Sequence, residues 1–497
     1  MDEAVGGWRG SGGRSITVAA LKRAVRAAGV VRAAGAVRGV VRAAGAAVLV
    51  AVVILAGCSK TPEARLREML ASQKTGVLHL PAGIVNLTSE LVLAEGSHDL
   101  EIVGAGTLLK TAEGFHGRAL LVAEGAKNLH LRDFGMDGGR DNLKDPPLEM
   151  APPENAFRVW YPNNGLLFDR VEGLDISHVS FDNVVNFPIL VSRSSNVKIA
   201  SVTVNNSGSL NAHKRNNLSG GILIEEGSSH FEVRDSVFRD IAGNGLWTHS
   251  LYTSPRLADG VFAGNRFENI GRDAIQVGHA TRVRVEDNNG AKIGYPVEVI
   301  DAEHGGTPVA IDTAGNVDQT VYARNHFEEV NGKCFDLDGF HDGAVRDNQC
   351  IDRRGPQDYV YGHFGMVMNN TNPDAHSQNI EISGNLIDGM KYGGLFLMGS
   401  GNRITGNRFL HLNTAGCNES SGKFTCIYKT DEPKMLESGI YLGRGVARSE
   451  ETRGNVIRDN VIGGHKMRER CIAAGPGVSI AANMVGSNEC SDTEAVK

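Results

Sequence analysis

Between Trp247 and Asp342 the sequence gathers the side chains that acid–base chemistry on a sugar requires: His249, Gln276, His279, Glu298, Asp301, Asp336, Asp338, His341 and Asp342. Glu298 and Asp336 are the pair that matters most. Two carboxylates one strand spacing apart, about 4.8 Å, cannot both ionise freely, so one keeps its proton. A protonated and an ionised carboxyl side by side are the acid and the base or nucleophile of glycoside hydrolysis. The same pair offers oxygen ligands to a hard cation such as Ca²⁺, the one cofactor these residues suggest. Trp247 presents a flat apolar face for a sugar ring, with Phe396 or Tyr441 flanking, and Gln276, Arg272, Asp301 and His341 are candidate grips for hydroxyls. Asp338, His249 and His279 complete the candidate catalytic group. Each carboxylate alone reads equally well as solvated surface, and His249 or His279 alone reads more readily as a turn or surface histidine; the cluster carries the expectation.

These residues meet only if the chain stacks on itself. The pattern x-G-N-x-[FIV] recurs at Asn265, Asn325, Asn385, Asn407 and Asn460, with weaker copies at Asn288, Asn348 and Asn483 and Ser236 in the same slot. Ten residues on comes a second run of the form small-apolar-x-apolar, at Leu246, Ile275, Phe335 and Leu395. Where nothing is inserted, the asparagines return after 22 or 23 residues, as from Asn385 to Asn407 and from Asn265 to Asn288. A period of that length with two or three short strands is a solenoid signature. An Asn at a tight bend tolerates left-handed backbone, and stacked copies hydrogen-bond along the axis. Aligned by this repeat, the outward positions of the second strand form two rows. One reads Leu223, Trp247, Gln276, Glu298, Asp336, Val367, Phe396, Tyr441. The other reads Glu225, His249, Gly278, Ile300, Asp338, Asn369, Met398, Gly443. A slip of one residue would send every one of these side chains to the other face.

Departures from the minimal repeat mark loops at about 138–163, 207–219, 250–258, 301–316, 353–363, 370–377, 411–437 and 443–453. Loops on a rigid scaffold are where binding residues usually sit. The first holds Arg158, Trp160 and Tyr161, either an aromatic wall or a lid packed on its own turn.

Composition agrees with a repeat. The chain has 497 residues and 62 glycines, against about 35 at the ~7% average usage. The glycines follow no Gly-X-Y period, which excludes collagen. Hydrophobic residues make up 41%, too many for a disordered chain. Length alone would favour about three domains of ~150 residues; the repeat favours one all-β array of about 13 turns over residues 75–492, with a tail at 493–497.

The first 57 residues differ from the rest. They hold eight Lys/Arg and two Asp/Glu, a net of +6; with the whole chain at −6, the remainder carries −12. RAAG units begin at Arg26, Arg32 and Arg42, and an 11-residue apolar run extends from Ala46 to Ala56. Such a run is too short to span a bilayer and suits a signal-peptide core. It ends Leu55-Ala56-Gly57-Cys58, which resembles a bacterial lipobox with Cys58 as the lipidated residue; a short buried helix is the alternative. Ser59 after the Cys, rather than Asp, favours the outer membrane in the lipoproteins this resembles. The expectation is an exported protein of the bacterial envelope, anchored through lipid alone, with residues 58–74 as linker. Thr61-Pro62 then opens a short helix to about Gln73, as an N-cap followed by Pro at the first helical position.

Six further cysteines, an even number, fit an oxidising compartment. They allow 15 pairings but fall in close pairs, which predicts Cys334–Cys350, Cys417–Cys426 and Cys471–Cys490. A zinc site is the alternative, without CxxC spacing to support it.

With its Asn-corner repeat and the opening Leu78-His79-Leu80-Pro81-Ala82-Gly83, similar to a first-turn LPAG run, the chain resembles right-handed parallel β-helices of the pectin-lyase-like superfamily over about residues 75–490. The resemblance implies a polysaccharide lyase or glycoside hydrolase acting in a groove along the helix. In lyases of that group a cation or Arg neutralises the uronate and a Lys, His or Tyr removes the α-proton; here Arg272 and Lys333 are candidate neutralisers, and His249 and His279 candidate bases. No contiguous signature of polygalacturonase, pectate lyase or mannuronan epimerase type is present. The run Asp336 to Asp342 only loosely resembles the epimerase acidic-His motif, with residues out of order. The alternatives are a non-catalytic glycan-binding or adhesion β-helix and a periplasmic metalloenzyme-maturation β-helix. The acidic mature chain disfavours nucleic acid and strongly anionic glycans as partners.

Overall fold

A computed structural model describes residues 60–143, 149–216, 219–301, 307–361, 363–417, 426, 432–445 and 447–493. The leader, Cys58 and the end of the tail lie outside the described residues. Over the described chain the protein is a right-handed parallel β-helix: every strand pairing is parallel and links one turn to the next.

Each turn crosses three sheets. In the first, Val261, Arg284 and Val321 are successive partners; in the second, Phe267, Gly290 and Phe327; in the third, Trp247, Gln276, Asp312 and Asp336. Alternation places the apolar residues inside. In the strand Ile275–Glu286, Val283 and Val285 are buried while Arg282 and Arg284 are exposed. Inside, like residues stack on like: Phe238 and Phe267 lie with ring centroids 5.1 Å apart and planes 12° from parallel. Gly260 is a packing glycine. A Cβ there would lie 2.1 Å from Cζ of Phe231, whose ring occupies the space on the preceding turn.

The corner between the first and second sheets carries the asparagine ladder. Asn265, Asn288, Asn325, Asn348, Asn385, Asn407 and Asn460 are buried, each donating its backbone N–H and side-chain amide to Oδ1 of the next. Ser236 closes one end by donating its backbone N–H to Asn265. One sequence assignment is corrected here. Asn460 donates to Asn488, not to Asn483. Asn483 instead continues a second ladder, Asn402–Asn455–Asn483, at the corner between the third and first sheets. The two corners share the same chemistry, so a repeat counted on Asn alone confuses them.

The helix Pro62–Ser72 covers the first turn with Leu66 and Leu70 buried, and Thr61 Oγ1 accepts from the Ala64 N–H. Disulfides join Cys334–Cys350, Cys417–Cys426 and Cys471–Cys490, the three neighbour pairs expected.

Candidate functional site

The outer side of the third sheet changes character along the axis. On the early turns its outward residues are Val122, Leu167, Leu190 and Leu223, all buried. They are covered by the insertion, whose Phe157 and Tyr161 form a second apolar cluster with them and with Phe187. The insertion is therefore a lid on the sheet rather than an open aromatic wall. Trp247 is drawn into this cluster, 5.0 Å from Phe157 and edge-on to it. On the late turns Phe396 and Tyr441 are buried and stacked with centroids 6.0 Å apart, so neither presents the free aromatic face expected of it.

Between the two covered stretches lies a polar one: Gln276, Asp312 and Asp336 on three successive strands, with Asp273, Arg272 and Lys333 beside them. Gln276 accepts from Asn244 Nδ2 and donates to Asp312 Oδ2, each at 2.7 Å. Lys333 pairs with Asp336 through Oδ2, while Asp336 Oδ1 is buried without a hydrogen-bond partner. Asp273 holds the Val309 N–H at 2.9 Å and lies 3.8 Å from the Arg272 Nε. Burial pushes Asp273 up to about 6. Burial, then the charges of Asp273 and Asp336, drive Asp312 well above the ordinary carboxylate range. Asp338 is also raised by burial, against two hydrogen bonds it accepts from Thr371. The arrangement thus sets a proton-holding carboxyl beside an ion-paired one.

Glu298 is not part of this row. The strand partner of Asp336 on the preceding turn is Asp312. Glu298 lies exposed in the single-turn helix Val297–Val299, within an insertion that precedes the strand Val309–Asp318. The Glu298–Asp336 pair, and the Ca²⁺ ligand set built on it, are therefore not formed. Val297-Glu298-Val299 begins nine residues after Asn288 and imitates the strand pattern; Ala310-Ile311-Asp312-Thr313 is the true counterpart of Ala274-Ile275-Gln276-Val277. That second match was the signal available in the sequence.

The remaining residues are dispersed. Asp301 is buried in the same insertion and ties it to the 207–219 insertion, with its backbone N–H donated to Asn216 Oδ1 at 3.0 Å. His341 occupies the corner between the third and first sheets, against Asp342 at 2.7 Å and Asn316 at 3.1 Å. His279 sits at the same corner edge-on to Tyr252, its Nδ1 buried without a hydrogen-bond partner and its basicity lowered by burial. His249 stacks on Phe157 at 4.3 Å, two strands before Asp312, and burial lowers it to about 4.

A cavity of 970 Å³ opens elsewhere, at the corner between the second and third sheets, where Arg140, Asn163, Asn206, Lys292, Tyr295 and Arg354 are among its walls. None of the row residues lines it. It is a recess apart from the paired carboxyls Asp312 and Asp336 of the third sheet.

No family model matches the chain, and no curated protein matches it. Among solved structures, a mannuronic-acid-specific polysaccharide family 6 lyase from human gut microbiota is 13% identical, with a TM-score of 0.48 over 88% of this chain and 86% of that one. A Geobacillus virus E2 protein (ORF18) is 14% identical with a TM-score of 0.42, over 61% of this chain and 53% of that one. A GH136 lacto-N-biosidase from Eubacterium ramulus is 11% identical with a TM-score of 0.43, over 78% and 62%. The chain thus spans less than two thirds of the length of the last two. At these identities and scores the likeness speaks to neither substrate nor activity.

Proposed function

We propose that the protein is an exported, lipid-anchored enzyme of the bacterial envelope that cleaves a glycan laid across the third sheet. One observation carries this reading: Asp312 and Asp336 are partners on adjacent strands of the outer face, where burial with neighbouring charge raises Asp312 well above the ordinary carboxylate range. Asp312 is then the general acid that protonates the glycosidic oxygen. Asp336, ion-paired with Lys333, is the carboxylate that attacks the sugar or activates water. Adjacent strands stand about 4.8 Å apart, nearer to the roughly 5–5.5 Å carboxyl separation of retaining enzymes than to the wider gap of inverting ones. Gln276, bonded to Asp312, orients the acid. Hydrolysis is favoured over elimination because the carboxyl pair supplies both of its catalytic groups. The net charge of −12 beyond the leader favours a neutral or weakly acidic glycan.

The test is incubation of the purified chain, without its leader, with a panel of neutral and uronic glycans. New reducing ends without absorbance of an unsaturated uronate support the hydrolase. The unsaturated product would instead establish a lyase, and retained glycan without any product a binding protein.

A further inference from the structure

A second cluster on the same sheet is independent of the Asp312–Asp336 pair. Glu225 and His249 are direct partners across adjacent strands, so their side chains stand side by side on the outer face. Glu226 follows, and along a regular strand it would point to the other side. Its backbone is left-handed instead, with φ of 56°, and the turn brings its carboxylate back to the same place. One oxygen from each carboxylate and one imidazole nitrogen lie within 4.8 Å of one another.

The cation that acts on this cluster from nearby, Arg193, is itself ion-paired with Asp169. Glu225 and Glu226 are both buried, and neither has an ion-pair partner among the described residues. Their hydrogen bonds come from neutral donors. The backbone N–H groups of Phe157 and Arg158 reach Glu225 at 2.8 and 3.0 Å; the Leu251 N–H reaches Glu226 at 2.9 Å, and the Ser254 hydroxyl also donates to it. These bonds fix the carboxylates while leaving lone pairs free. His249 Nδ1 is buried with no hydrogen-bond partner at all. Buried carboxylates without an ion-pair partner, beside an imidazole whose Nδ1 meets no hydrogen-bond partner, are costly unless something binds them.

We propose that Glu225, Glu226 and His249 form a binding site for one borderline divalent cation of the Zn²⁺ type. One nitrogen and two carboxylate ligands suit such an ion, whereas Ca²⁺ takes oxygen ligands. Metal–ligand bonds of about 2.0–2.2 Å in a tetrahedral site place ligand atoms about 3.4 Å apart, so a cluster already within 4.8 Å closes on an ion by side-chain shifts alone. The amide donors from the lid and from the 250–258 loop are the outer partners that orient metal-binding carboxylates. A bound ion therefore fastens both segments to the sheet.

The test uses the tag-free chain without its leader, stripped with chelator and dialysed. Zn²⁺ titrated calorimetrically binds one equivalent and raises Tm, and Co²⁺ gives the visible absorption of nitrogen–oxygen coordination. His249→Phe keeps an aromatic ring against Phe157, and Glu226→Gln keeps a hydrogen-bond acceptor. Each weakens Zn²⁺ binding by roughly tenfold or more while the metal-free Tm stays near that of the parent. If the parent binds no Zn²⁺, or Ca²⁺ alone, or if His249→Phe binds Zn²⁺ as tightly as the parent, the proposal is overturned. Glycan turnover is not needed for any of these readouts, so failure of the hydrolase reading would leave them intact.

Discussion

Asp312 and Asp336 are partners across two adjacent parallel strands, one bonded to the Gln276 amide and the other ion-paired with Lys333. In the proposed mechanism their different surroundings divide the acid from the base. Asp312→Asn keeps the shape and removes the transferable proton. Turnover on whichever glycan proves to be cleaved should fall by about 10²–10⁴-fold with no loss of Tm. In the parent enzyme, activity should be lost as pH rises through the raised Asp312 value, on the alkaline side of ordinary carboxylates. Undiminished turnover by the variant would remove Asp312 from the mechanism.

Asp273 gives a stability signature with a defined sign. Its carboxyl titrates near 3.8 when unfolded and at about 6 when folded, because burial penalises its charge. Between those values the folded chain holds a proton that the unfolded chain releases, so stability falls as pH rises from about 4 to 6 and then levels. Asp273→Asn can still accept the Val309 N–H and lacks this contribution to the slope. Thermal melts should show the variant gaining on the parent across that window; parallel curves would refute the assignment.

Asn325 sits mid-ladder, accepting from Asn288 and donating to Val285 and Asn348. Asn325→Ala orphans several buried groups, at roughly 1–3 kcal/mol each, and should lower Tm by many degrees. Asn325→Ser should cost less, since Ser236 fills the same slot and accepts from the Val202 N–H. Equal melting of the two variants would show that the ladder contributes little.

Gly260→Ala places a methyl into the ring of Phe231. Overpacking of this kind costs typically 1–3 kcal/mol. Denaturant titration should register that loss, and Phe231→Leu added to Gly260→Ala should recover part of it. A variant as stable as the parent would mean that the ring moves aside freely.

The fold was legible because a solenoid repeats its evidence. Asn265, Asn325 and Asn385 state the corner three times, and the runs at Ile275, Phe335 and Leu395 state the third sheet. The site was legible only where the spacing held. Trp247, Gln276 and Asp336 were placed in one row correctly, since no insertion separates their corner residues Ser236, Asn265 and Asn325 from their strands. Glu298 took the place of Asp312 because a fifteen-residue stretch intervenes and its Val-Glu-Val imitates a strand. The burial of Phe396 and Tyr441 depends on what covers a face, and a repeat pattern carries no information about that. The approach of Glu226 to His249 depends on one left-handed residue, a backbone property that its side chain does not announce.

Asn385 and Asn407 are 22 residues apart in the chain, Asn407 and Asn460 are 53, and the side-chain bonds joining the two pairs are 2.9 and 3.0 Å. The scaffold counts turns and ignores how much chain is spent between them. Loop length at one corner is thus a free variable that leaves the reactive residues where they are. A library that exchanges the 207–219 or 443–453 loops wholesale can therefore retune what the surface recognises without realigning Asp312 against Asp336.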